Sequence, residues 1–584
     1  MATRTAAPAG TARGSSPVSS PAPTSQSQLD AVVTRLREGA HRFTLLSLDQ
    51  RVQLARSMQA GYLRIARASV AAACAAKGIP LGTPLEGEEW TLGPWFVVRQ
   101  LRLVRQSLLA LKHSGNTPIG QVGRTPDERL AVQVFPAGTI DGTLFMGIRV
   151  DVHLQSGVTP EELTSSRARF YKSPDHEGRV VLVLGGGNVN GIPSMDVLTK
   201  MFNEGKVCIL KMNPVNAYLG PYLEEAFADA IRQNFLAVVY GGASEGAYLA
   251  NHPQVDEVHL TGSDRTFDQI VWGPEGAERE ARKAQGRPLL RKPVTAELGN
   301  VSPVIVLPGP YSDKELAYQA EDVAAGLTCN AAFDCNANKV LILPKGWSQR
   351  EAFLAGVERA LSKAAARRAY YPGARDRWTA YSKGRSSIRQ FGSENGDVLP
   401  WTLVRDLDPS NREEPAFATE SFCSILFQTE IGSPDPIEFL DQAVTFANQR
   451  LWGTLSAGLV VHPKVMKDST LGGAVERAIG NLRYGAVSVN AWSGYVFGFV
   501  TPPWGAYPGS SLTDIQSGTG WVHNTPMLEG IEKAVLRHPI TAMPKPVYFP
   551  SHRSAHVLMQ RMTALDENSS WARVPGVMAA AMKA

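Results

Sequence analysis

The chain has 584 residues, of which 43% are apolar and 19% charged, with 53 glycines and 39 prolines. That composition describes a loop-rich globular protein of two to four domains and excludes collagenous, coiled-coil and wholly disordered classes. Lys plus Arg number 59 against 54 Asp plus Glu, and a net charge of +5 over this length makes no global field that calls for nucleic acid or an anionic membrane.

The five cysteines (Cys74, Cys208, Cys329, Cys335, Cys423) are scattered, with no C-x-x-C pair or His spacing suited to structural zinc, so no metal is expected and a reducing, cytoplasmic setting is the natural home. The longest uncharged stretch, Tyr484–Thr513, is broken by Gly485, Gly494, Gly498, Pro502, Pro503 and Gly505. It suits turns and not a membrane span.

Residues 1–28, built from Ala, Ser, Thr, Pro and Gly, are expected to be a disordered tail, because they bury too little to offset the entropy of ordering them. From Leu29 to about Lys112, apolar residues at intervals of three and four with Arg between them predict amphipathic helices, within a first unit taken as 29–125. The period changes to two in RLAVQVFP and MGIRVDVHLQ around the turn-prone AGTIDGT, predicting a long hairpin over 126–154. From 155 to 296, β-branched runs such as VVLVLGG, VCILKMNP and FLAVVYGG alternate with helical stretches, one of them starting at Pro193. Strand–helix–strand repetition implies a parallel sheet with ligands outside the carboxyl ends of its strands. A second α/β cycle occupies 297–525, a strand is expected near 538–549 within 526–550, and 551–584 is a C-terminal extension of unassigned role.

The chemistry-bearing strings stand in this order: GGGNVNGIP, ILKMNP, HLTGS, TAELGNVSPVIVL, NAAFDCNANKV, ATESFCSIL, GAVSVN and PPWGAY. A Thr-Gly-Ser turn entering a helix offers backbone N–H groups to an anion, although an ordinary helix cap has the same look. In order and spacing, from about residue 30 to 550, these strings resemble the aldehyde dehydrogenase superfamily. The resemblance implies an α/β fold of two Rossmann-like domains plus a small β bridging element formed by the hairpin and the C-terminal strand. It also implies a homodimer or homotetramer, NAD or NADP as cofactor, and a small-molecule aldehyde as substrate.

Carried over position by position, the resemblance makes Cys335 the nucleophile, with Asn330 five residues before it, Asn188 the oxyanion donor and Glu297 the general base. Sulfur adds readily to a carbonyl, and the adduct can lose hydride to leave a thioester for water to attack. Asn190 competes with Asn188 for its role, and either could simply cap the helix at Pro193. Lys211 and Glu420 match residues that hold cofactor riboses, Gly262 and Ser263 would meet the pyrophosphate, and Phe422 would lie near the nicotinamide. Trp492, Tyr495, Phe497, Phe499 and Trp504 fall where relatives build an apolar substrate tunnel, which points to a hydrophobic aldehyde.

The chain also departs from the family pattern: Asn300 replaces the second Gly of E-L-G-G, Asp334 precedes the nucleophile, and Cys423-Ser424 follow Phe422. A carboxylate beside a thiol opposes thiolate formation unless it turns away. Pro214 stands where NAD-preferring relatives carry a Glu, which leaves NADP admissible. Two alternatives remain on sequence grounds: a CoA-acylating dehydrogenase or acyl-thioester reductase, and a non-catalytic scaffold. Retention of Glu297 speaks against the first, and joint retention of Cys335, Glu297, Asn188, Lys211 and Glu420 against the second.

Overall fold

The computed structural model describes residues 20–173 and 176–583. Most of the expected disordered tail lies outside the described residues, but its last residues already belong to a helix, Gln26–Thr44. The next helix, Leu48–Lys77, begins at Ser47, whose side chain accepts from the Gln50 N–H while the Gln50 amide returns to the Ser47 N–H, and it ends at Gly78 in the left-handed region (φ 68). A third long helix, Phe96–Ser114, packs on it and buries Val97, Val98, Leu101, Val104 and Leu108. No helix of the described residues is long and apolar enough to cross a membrane.

Two sheets carry the rest. The smaller has six strands in the order Gly518–Thr519, Val294–Glu297, Glu257–Thr261, Val180–Leu184, Val207–Lys211, Leu236–Val239, parallel except for the first. Val180–Leu184 and Val207–Lys211 are buried at every position, as befits β-branched runs covered on both faces. The larger sheet has eleven strands; its parallel centre includes Ser302–Val306, Asn338–Pro344 and Ser456–Val460. The chain passes from one sheet to the other within a few residues, from Glu297 at the end of one strand to Ser302 at the start of the next. That crossover explains two glycine-or-asparagine positions. A Cβ on Gly299 would collide with the Glu420 carboxylate. Asn300, fully buried, donates to Ser302 Oγ (2.9 Å) and the Ser456 carbonyl (2.8 Å), pinning the crossover to the larger sheet.

The expected hairpin at 126–154 takes a different form. Its strands Leu130–Phe135 and Arg149–Leu154 pair, but the connection AGTIDGT holds a helical turn, Thr139–Leu144, where Asp141 is buried against Arg99 (2.6 Å). Arg149–Leu154 also pairs antiparallel with Ile531–Arg537, so hairpin and C-terminal strand extend the larger sheet. The C-terminal strand thus ends at Arg537, and no strand lies in 538–549. The stretch from Pro193 to Glu204 is an α-helix only to Leu198, then a π-helical turn, Thr199–Asn203.

Candidate active site

The carboxyl ends of the smaller sheet are in register: Leu184 pairs with Lys211 and with Leu260, and Thr261 with Glu297. Beyond that edge a cavity of about 1090 Å³ opens between the two sheets. All eight residues singled out from sequence line it: Asn188, Lys211, Gly262, Ser263, Glu297, Cys335, Glu420 and Phe422. Lys211 ends its strand nearly out of solvent, and burial lowers its pKa. Ser263 caps the helix Asp264–Val271, its hydroxyl accepting from the Thr266 N–H (3.2 Å). The Gly262 N–H is committed to the Glu297 carbonyl (3.0 Å), so it is not free for an anion. Glu420 has one carboxylate oxygen, Oε1, out of contact with solvent and without a hydrogen-bond partner, and burial pushes the group up to about 7. Phe422, at φ 39, packs on Tyr371 (5.0 Å) and Phe333 (5.5 Å).

The segment before Cys335 is conformationally unusual. Asn330, Ala331 and Ala332 all have positive φ (49°, 57° and 72°), a region that costs a non-glycine residue roughly 1–2 kcal/mol. A buried polar network holds it there. The Asn330 amide donates to the Asn188 carbonyl (3.0 Å) and to Asp334 Oδ1 (2.9 Å), and its oxygen accepts from Lys77 Nζ (2.9 Å) and the Tyr370 hydroxyl (2.9 Å). Lys77 is paired with Glu89 (2.9 Å), whose other oxygen accepts from Asn190 Nδ2 (2.7 Å). Asn190 is therefore tied to Glu89, whereas Asn188 reaches the segment before Cys335, with Nδ2 2.8 Å from the Phe333 carbonyl. An amide NH2 carries two donors, and Asn188 also borders the cavity.

Asp334 turns its Oδ1 to Asn330, yet its charge still acts on the neighbouring thiol. Cys335 keeps part of its surface open while its surroundings are closely packed. Burial, then Glu420, Asp334 and Glu297, push the thiol well above its ordinary value, with Lys339 opposing them. Burial and the nearby Asp196 push Glu297 up to about 7, and His259 pulls the other way. Asp196, His259 and Glu297 form one buried cluster, with His259 Nε2 3.3 Å from Glu297 Oε1 and 3.6 Å from Asp196 Oδ2.

Cys335 borders a second cavity too, of about 200 Å³ and largely apolar. Trp492, Tyr495 and Phe497 line it, and Trp492 is fixed by a hydrogen bond from its indole N–H to the Asn336 carbonyl (2.8 Å). The other two aromatics expected there lie elsewhere: Phe499 stacks on Phe135 (3.7 Å) in the core, and Trp504 borders the larger cavity. The far wall comes from the C-terminal extension, whose helices Ala555–Asn568 and Val574–Ala581 contribute Leu558, Met559, Met562, Val577 and Met578. Sequence reasoning left Lys77, Glu89, Tyr370 and His259 unassigned. His259 alone carried a signal, as a polar residue within an otherwise apolar strand run, VHLTG.

A family model for the aldehyde dehydrogenase family matches residues 193–370. Human 4-trimethylaminobutyraldehyde dehydrogenase is 30% identical over 145 residues, covering 24% of this chain and 25% of that protein; the chain matches about a quarter of the length of such curated relatives. Two solved structures cover far more. Gamma-glutamyl-gamma-aminobutyraldehyde dehydrogenase from Burkholderia cenocepacia J2315 superposes with a TM-score of 0.60 at 19% identity over 88% of both chains. NADP-dependent glyceraldehyde-3-phosphate dehydrogenase from Bacillus halodurans C-125, solved with NADP, gives 0.59 at 17% identity over 88% of this chain and 91% of that one. These two likenesses are of fold. Together with the family match across the Pro193 helix, the Glu297 crossover and the Cys335 segment, they show a chain with the fold of aldehyde dehydrogenases whose residues 193–370 match the aldehyde dehydrogenase family.

Proposed function

We propose that this protein oxidises a hydrophobic aldehyde to a carboxylic acid with NAD or NADP, through a thioester on Cys335. The observation that carries the reading is the position of one sulfur where a large polar-edged cavity and a small apolar one meet. The larger cavity fits a dinucleotide in both size and donors. Lys211 and the unpartnered Glu420 oxygen suit ribose hydroxyls. Gly299 leaves the Glu420 carboxylate room, and Ser263 with the first turn of its helix suits a pyrophosphate. The turn after Lys211 runs Met212-Asn213-Pro214 and holds no carboxylate to repel a 2′-phosphate. When bound, NAD(P)+ supplies the acceptor for the hydrogen and two electrons that leave the substrate carbon.

The chain's own residues do the rest. The raised thiol pKa makes the resting Cys335 a thiol, whose proton passes to solvent in the cavity as the sulfur attacks the aldehyde carbon, leaving the Glu297 carboxylate free for the later step. The Asn188 side-chain N–H and the Cys335 backbone N–H stabilise the oxyanion. Once the thioester exists, Glu297 takes a proton from the attacking water and the sulfur leaves as thiolate. The apolar second cavity, walled by Trp492, Tyr495, Phe497 and Met562, holds the substrate's hydrocarbon part. The reading is tested with a panel of aliphatic and aromatic aldehydes, each with NAD and NADP, with and without CoA. Free acid without CoA is expected. Cys335→Ala should abolish nicotinamide reduction while cofactor binding persists in a titration; turnover by that variant would refute the assignment.

A further inference from the structure

One face of the smaller sheet carries a histidine that the chemistry above does not use. Alternation along the strands puts His259 and Thr261 on the same face as Thr295 and Glu297, which are their register partners. The helix Ile192–Leu198 brings Asp196 to that face. His259 Nδ1 lies 2.8 Å from Thr295 Oγ1, and Nε2 faces Glu297 Oε1 at 3.3 Å and Asp196 Oδ2 at 3.6 Å. Asp196 is anchored in turn by the Thr261 hydroxyl (2.8 Å). Relative exposures are 2% for His259, 1% for Asp196 and 7% for Glu297.

Two carboxylates buried this close repel each other unless a cation lies between them. A ring protonated on Nε2 alone can accept from the Thr295 hydroxyl at Nδ1, so it is the charge needed between the two carboxylates that favours an imidazolium here. Burial alone would lower the His259 pKa, but the Asp196 and Glu297 carboxylates close to Nε2 outweigh it and the net shift is upward. The other charged or titratable groups facing the cluster are Lys200, from the π-helical turn, which opposes protonation of His259, and His523, which burial drives down to about 3 and so leaves neutral. Cys335 feels Glu297 across the cavity.

We propose that His259, set in place by Asp196 and Thr295, is a positioning residue for Glu297: as an imidazolium it favours the ionised form of that carboxylate and fixes it so that it can accept a proton. This rests on the thioester reading. As water attacks, its O–H bond breaks and the proton passes to Glu297. The new C–O bond forms, the C–S electron pair leaves on Cys335 sulfur, and His259 keeps its proton throughout.

Two measurements on the full chain test it. In His259→Gln, rapid mixing with aldehyde and cofactor should give a burst of reduced nicotinamide, then a steady state about tenfold below wild type, well within the range general-base effects span. The acid limb of its pH profile should move to higher pH, because the cation that favoured the Glu297 carboxylate is gone. Independently of turnover, NMR of chain labelled with 13C at histidine Cε1, with the His259 signal assigned by its loss in His259→Gln, should show a midpoint above that of free histidine. That midpoint should fall in Glu297→Gln, which leaves the imidazole in place. An unmoved midpoint in Glu297→Gln, or a His259→Gln enzyme with wild-type steady state and pH limb, would overturn the proposal. So would one equivalent of zinc in the purified chain that is lost in His259→Gln, since the three residues would then be a metal centre. Turnover by Cys335→Ala would instead strike the thioester reading, and the histidine titration would still decide the pairing.

Discussion

At the scale of single residues, the site depends on carboxylates held where water solvates them poorly. Glu297 sits at about 7 because burial and Asp196 disfavour its charged form more than His259 favours it. A base must be deprotonated to act, so thioester hydrolysis should rise with pH through about 7 and level off above it. The measurement is steady-state turnover across pH with acid product quantified. Glu297→Gln should cut turnover by roughly 10²–10⁴-fold and flatten that limb while leaving a burst of reduced nicotinamide. Of the residues the proposed chemistry uses, Cys335, Glu297 and Asn188 could be singled out in the sequence because each lies in a short string of fixed order, and all three line the same cavity. His259 could not, because nothing within its own strand tells that a carboxylate from residue 196 and another from 297 will close on it.

At the scale of elements, Cys335, the proposed nucleophile, is preceded by a short segment in an unfavourable backbone conformation, and side chains from distant elements hold it there. The single O–H of Tyr370 lies 2.9 Å from both the Asn188 carbonyl and the Asn330 side-chain oxygen and is shared between them. Tyr370→Phe should therefore lower kcat and cost about 0.5–1.5 kcal/mol of stability, the net worth of one shared hydrogen bond. Cofactor affinity should be unchanged, as checked by thermal unfolding and a binding titration. The second element-scale device is the C-terminal helix Ala555–Asn568, which sets Met559 and Met562 into the apolar cavity. Met562→Trp should shorten that space and favour small aldehydes over long ones, by about 10–200-fold if it removes room for one or two methylenes. Comparing kcat/KM along a homologous aldehyde series measures this.

At the scale of the whole molecule, the two sheets meet at the Glu297–Ser302 crossover, and the C-terminal extension is fastened across the long helices. Asp566 accepts from the Trp95 indole (2.6 Å) and Arg102 Nε (2.7 Å) and lies 3.5 Å from Arg99, all buried. Asp566→Asn leaves Arg102 without its charge partner in the interior, while Arg99 keeps Asp141, and should destabilise the fold by about 3–5 kcal/mol in a denaturant titration, opening the apolar cavity as it does. The sequence by itself determined the alternation of strands and helices, the strand-end positions of Lys211 and Glu297, the cap at Ser263 and the order of the family strings. Those are local features, written in periodicity, turn chemistry and short spacing. It read the hairpin's connection as a turn, because no local signal showed that Asp141 would be buried on Arg99 and wound into a helical turn there. Tertiary structure alone decided which aromatics of the uncharged run reach the substrate side, which asparagine meets the segment before Cys335, and what the last thirty residues do. Each of these rests on contacts between residues a hundred or more positions apart, such as Lys77 with Asn330 or Trp95 with Asp566. Such contacts form only when the packed core brings distant segments together, and they leave no repeat or spacing along the chain from which to read them.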